Sequence, residues 1–200
     1  MVVTGCRSVY YSAWEKVGVH KRDLLKKQVV AARDDQQAAA EQFKDALTRL
    51  KEISGFDGGD LEKVYNGLKK DYDRSVDRAE AVGTRIREVE SVARDLFAEW
   101  EKEIGEYTTE SMRQASREQL IETKRRYEEL HGALVRAENS MPPVLSRLKD
   151  QVLFLKHNLN AAAIASLKGE SLSIQHEITK LLADMNAAIA QADSFIKQIQ

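Results

Sequence analysis

Between Tyr65 and Trp100 an apolar row repeats at alternating steps of three and four residues. It runs through Tyr65, Leu68, Tyr72, Ser75, Ala79, Val82, Ile86, Val89, Ala93, Leu96 and Trp100. Only Ser75 is out of character. A row of that period lies along one side of an α-helix, and its unbroken length marks a coiled-coil seam. A strand presents alternate residues to one face and gains nothing from it. The row therefore predicts a helix over residues 61–107, roughly 70 Å long at ~1.5 Å per residue. Such a helix has to bury its seam against other helices.

The rest of the chain repeats the pattern. Over residues 8–53, Tyr10, Trp14, Val17, Leu24, Ala31 and Ala38 recur at steps of three, four or seven, and Phe43, Leu47 and Leu50 continue the stripe. The stretch "SGFDGGD" then breaks it: glycines end a helix and Asp60 can cap the next. Asp57 and Asp60 among glycines do not make a calcium loop, because the regular oxygen ligands and closing Glu are missing. A third segment opens at Thr108 and Thr109, a capping pair before Glu110, and its seam is Met112, Ser116, Leu120, Thr123, Tyr127, Leu130, Leu134, Ala137 and Met141. Pro142 and Pro143 are expected to stop it, with Pro143 starting a fourth helix.

That fourth segment holds Leu145, Leu148, Val152, Leu155 and Leu159. The small Ala161, Ala162, Ala163 and Ala165 then allow close approach of a neighbour, and Asn158 or Asn160 can re-cap a broken helix there. Ile174, Ile178, Leu181, Met185, Ala188, Ala192, Phe195 and Ile199 complete the row, widened by Leu182, Ile189 and Ile196. A stripe of that width needs two neighbours, either from this chain or from a second copy. The expected fold is all-α: an elongated antiparallel coiled-coil-like bundle of four long helices, the last open to a break near Asn158–Asn160. Ten glycines and two prolines in 200 residues suit such helices. No run of ~20 apolar residues exists for a bilayer-spanning helix.

Charge and rare residues bound the function. The net charge of -1 gives no global field toward nucleic acid. Residues 7–33 carry seven basic and two acidic side chains, and residues 57–110 carry nine basic and fifteen acidic. The basic end suits either a solvated helix surface or anionic lipid heads and envelope polymer. Lys124, Arg125 and Arg126 beside Tyr127 do not read as a nucleic-acid platform, because Tyr127 is in the seam. The histidines His20, His131, His157 and His176 are scattered. Glu128 and His131 have the spacing of di-iron bundle ligands, but no second copy exists, so His131 reads as a surface or capping residue. No phosphate loop or nucleophile elbow is present, and Glu99, Glu101 and Glu103 around Lys102 read as solvated seam flanks. No catalytic, cofactor-binding or metal residue is assigned, and neither a small-molecule substrate nor nucleic acid is expected as a partner.

The only cysteine, Cys6, follows Val3, Thr4 and Gly5. An aliphatic residue, a small residue, Gly and then Cys form a lipoprotein signal-peptidase box: small residues seat the backbone at the scissile bond, and the thiol takes a diacylglycerol. Cys6 would be lipidated, and its acyl chains would anchor the chain to a membrane. The alternative is an incidental cysteine. Only Met1, Val2 and Val3 precede the box, so a charged and apolar leader would lie upstream. Residues 1–6 thus read as a remnant of a lipoprotein signal peptide with its box, and residues 7–200 as one elongated domain. Arg7, rather than Asp, after the cysteine leans toward the outer membrane. Trp14 and Trp100 lie on apolar stripes and read as packing residues. Trp14, with Tyr10 and Tyr11, also suits a membrane interface.

Three blocks, "SVYYSAWEKVGVHKRD", "GFDGGDLEKVYN" and "LKHNLNAAAIASLKGE", together resemble a bacterial lipoprotein family catalogued as domain of unknown function 2959. The resemblance covers residues from Cys6 to about Phe195. It implies a secreted, lipid-anchored, all-helical protein of the gram-negative envelope, and it carries over no catalytic residues. The resulting expectation is a lipid-anchored structural or interaction protein in the periplasm, meeting a protein partner or itself through helical seams. A bundle that binds membrane surfaces is the alternative, and it would need a basic stripe along one face. An enzyme would need convergent polar groups, and no such set is evident.

Overall fold

The computed structural model describes residues 21–54, 60–158 and 160–199. Among these residues there are four helices and no strand: α1 (Lys21–Ser54), α2 (Leu61–Ile104), α3 (Glu110–His157) and α4 (Ala161–Gln198). Each helix packs on its chain neighbours, and α1 closes the ring on α4. Cross-helix bonds fix the directions. Lys21 meets Glu99 at 2.8 Å, Asp35 meets Arg85 at 2.9 Å and Arg49 meets Asp71 at 3.2 Å. The residue numbers of all three pairs add to 120, so α1 and α2 are antiparallel in constant register. Between α2 and α3, His131 Nε2 lies 2.6 Å from Glu90. Between α3 and α4, the Ser140 hydroxyl donates to Asp184 at 2.6 Å and Arg147 donates to Glu177 at 2.8 Å. The result is an up-down-up-down bundle, as the seams predicted.

The seams become the core. Leu68, Val82, Ile86, Val89, Ala93 and Leu96 of α2 are buried together with Leu130, Leu134, Ala137 and Met141 of α3. Ser75 fits because its hydroxyl donates to the Asp71 carbonyl one turn earlier, at 2.7 Å. Asp60 caps α2 as expected and accepts from the Lys63 amide at 3.1 Å. Thr109 occupies the N-cap of α3 without a side-chain capping bond. There Arg113 braces the corner instead, donating to the Tyr107 carbonyl and to Glu110. The wide last stripe finds both neighbours inside the chain: Ile174, Ile178, Leu181, Met185 and Phe195 are buried among α1 and α3, with Leu182 and Ile196 packed against that core.

One boundary differs from the sequence reading. Pro142 and Pro143 do not stop a helix but lie inside α3. Two prolines withhold two intrahelical hydrogen bonds. They nevertheless sit on the solvent side, where water can serve the freed carbonyls, while Met141 and Val144 on either side are buried. Packing of those two side chains holds the helical path. The chain reverses at Asn158 and Asn160 instead, so the expected break in the last helix is the turn between α3 and α4. Ala165, expected at a close approach, is exposed. The expected close approach of Ala161, Ala162 and Ala163 concerns side chains outside the described set.

Candidate functional site at the end where the first helix begins

The described parts of the four helices do not finish level. By the register of the Ser140–Asp184 and Arg147–Glu177 bonds, Gln198 at the end of α4 falls opposite Arg126. The first turns of α3 therefore extend past the described part of α4. Lys21, where α1 begins, is opposite Glu99, so the last turn of α2 extends past the described part of α1. Along the flank of the α2–α3 hairpin runs a groove of about 1160 Å³.

Lys21 and Arg22 of α1, Glu99, Trp100 and Glu103 of α2, Tyr107 of the turn and Met112 of α3 are among the residues that line the groove. The Arg22 guanidinium lies 5.3 Å from the Trp100 ring centre, a cation–π distance. The Trp100 indole N–H donates to the Ser116 hydroxyl at 2.9 Å, which fixes the ring across the two helices. Met112 is 60% exposed, so the first member of the third seam is not covered as its position predicted. The periodicity placed it correctly on the helix. It offered no sign of which residues of the neighbouring helices face it.

An aromatic cluster joins α2, α3 and α4. Tyr127 stacks on His131 at 5.7 Å and meets Phe97 and Phe195 edge-on at 5.5 and 6.5 Å. Burial pushes the Tyr127 phenol up to about 12. The Glu90 carboxylate adds to that rise and Arg94 opposes it. Tyr127 thus sits in the seam as expected, and Arg125 and Arg126 beside it are both paired with Glu122. His131 bonds to Glu90 on the neighbouring helix and not to Glu128. Among the described residues no three His, Cys, Asp or Glu side chains gather as metal ligands. Glu99 and Glu101 pair across helices, with Lys21 and Lys124, instead of with Lys102.

Cys6, Val3, Thr4 and Gly5 lie outside the described residues, as do Tyr10, Tyr11, Trp14, Val17 and His20. Residues 55–59, where a glycine turn is expected, and Leu159 lie outside them too. Among the described residues no helix is long and apolar enough to cross a membrane. At the bundle's opposite end Leu153, Phe154 and Leu172 are exposed apolar side chains, Leu172 at 72%. A family model described as protein of unknown function (DUF2959) matches residues 10–199. No curated protein matches the chain.

Proposed function

The chain belongs to the family of proteins of unknown function DUF2959, and from that premise we propose that it is a lipid-anchored envelope protein acting as a structural or interaction scaffold. The observation that carries the reading is the polarity of the bundle. The described part of α1 begins at Lys21, at the end of the bundle bearing the α2–α3 turn. An acyl anchor on Cys6 would hold that end at a membrane surface. The other end, with its exposed Leu153, Phe154 and Leu172, would then stand about 50 Å away, the length of the 34-residue α1.

Charge pairing supports a scaffold over a lipid-reading surface. Arg33, Arg85, Arg125, Arg126 and Arg147 all lie against carboxylates, and paired cations offer little to anionic headgroups. The scaffold works without catalysis and without a cofactor. Arg7 after the anchor cysteine favours the outer membrane, with the bundle in the periplasm. The protein produced from its native gene should label with radioactive palmitate and fractionate with membranes. Cys6→Ser should lose the label and become soluble in the periplasm. A wild-type protein that stays unlabelled and soluble would sink this reading.

A further inference from the structure

Three of the four helices are weakened at one level of the bundle. In α1, Gln36 is fully buried with its amide unpartnered among the described residues, and between Val29 and Phe43 this helix buries no apolar side chain larger than alanine. In α2, Gly83 is the only glycine buried among the described residues, and after proline glycine is the poorest helix former. In α3 stand the chain's two prolines, Pro142 and Pro143. Their missing N–H groups leave the Glu138 and Asn139 carbonyls without helical donors. Shared contacts put these positions side by side. Glu80 and Thr84 of α2 line one cleft of about 410 Å³ with Asp35 and a second of about 450 Å³ with Pro142. A Cβ on Gly83 would stand 2.6 Å from the Glu138 carboxylate. Ser140 bonds to Asp184, so α4 passes the same level, and it holds no glycine or proline from Glu170 to Gln198.

We propose that this level is a hinge about which the two ends of the bundle move as separate units, with α4 the continuous helix that joins them. Each end keeps full-sized core side chains. Leu25, Val89 and Leu130 are buried on one side, and Leu50, Leu68 and Leu155 on the other. Tightly packed cores of that kind resist deformation. Between them α1 offers alanines and an amide, and α3 lacks two of the bonds that stiffen a helix. Sharp bends in helices fall at prolines and glycines. Opening the level also returns the Gln36 amide to water, which recovers part of the cost of burying it. The two clefts flanking α2 give its neighbours room to shift. The inference stands whether or not Cys6 is acylated.

Native-state hydrogen exchange on the unmodified chain tests the hinge without any substitution. Amides of residues 36–40, 83–87 and 144–147 should exchange several-fold faster than those of residues 89–93 and 130–134, and equal protection overturns the proposal. Gln36→Leu in α1 should then slow residues 144–147 of α3 by the same factor as residues 36–40, because the level opens as one unit. Pro143→Ala in α3 should reciprocally slow residues 36–40. A slowing confined to the substituted helix overturns the hinge. Spin labels read the bend itself. Glu118 and Asp150 are exposed and lie on the Pro143 face of α3, on either side of the level. With Glu118→Cys and Asp150→Cys labelled in a Cys6→Ser background, the distance distribution should be broad. It should narrow when Gln36→Leu and Pro143→Ala are added, and a distribution that those two leave unchanged overturns the proposal. Should the labelled variants fail to fold, the exchange result on the unmodified chain decides.

Discussion

The Arg49 guanidinium donates from Nε to Asp71 Oδ2 at 3.2 Å, bridging α1 and α2, and Asp71 is only 6% exposed. The backbone of Asp71 is also engaged: its carbonyl accepts from the Ser75 hydroxyl and the Gln42 amide. This polar knot sits inside an otherwise apolar interface and fixes the register of the two helices. Arg49→Ala would strand a buried carboxylate. Because Arg49 itself is partly exposed and water can reach the site, the expected loss is about 1–2 kcal/mol. Urea unfolding of Arg49→Ala and of the double variant Arg49→Ala with Asp71→Ala checks it. The double variant should be more stable than Arg49→Ala alone.

Gln36 presents the opposite case. It is fully buried, and among the described residues neither its Oε1 nor its Nε2 has a hydrogen-bond partner. A buried amide without partners costs more than an apolar side chain of similar size. Gln36→Leu should therefore raise stability by about 1–2 kcal/mol, read as a higher urea midpoint at unchanged slope. A lower midpoint would mean that the amide is satisfied in solution.

Pro143 sits in mid-helix, its side chain exposed, between stretches of α3 that are held by packing. Replacing it restores an N–H to the helix and removes the ring's clash with the preceding turn. Pro143→Ala should stabilise the bundle by up to ~3 kcal/mol, less what the freer unfolded chain takes back. Gly169 of α4, with open space where a Cβ would stand, makes a companion test. Gly169→Ala should add up to ~1 kcal/mol. A fall in melting temperature for Pro143→Ala would show that the proline's restriction of the unfolded chain outweighs its cost to the helix.

Tyr127 gives the bundle a pH signature. Its folded phenol titrates at about 12 against an ordinary 10.0, with burial as the main cause. The folded state thus holds this proton more tightly than the unfolded chain does. Its contribution to stability is fully present below pH 10 and is lost as pH rises toward 12. Tyr127→Phe has no phenol to ionise, so the decline in melting temperature over that window should be shallower than in wild type. Equal slopes would place Tyr127 in contact with solvent.

The alternating row from Tyr65 to Trp100, the cap at Asp60 and the wide stripe from Ile174 to Ile199 were all legible in the sequence. Each is a local property, the period of a helix or the chemistry of its end, and local properties are written in neighbouring residues. The prolines were misread for the same reason: their local preference is real, but the burial of Met141 and Val144 outweighs it, and that burial depends on residues far along the chain. The turn at Asn158–Asn160 was visible only as an alternative. The pairing of Arg49 with Asp71 and of His131 with Glu90 was not visible at all, because charges spread over every helix admit many partners until a register selects among them. The groove belongs wholly to the tertiary structure. Its lining comes from three helices, with Lys21 and Arg22 beside Trp100 and Ser116, and which residues of three helices meet is set by how all the seams align at once.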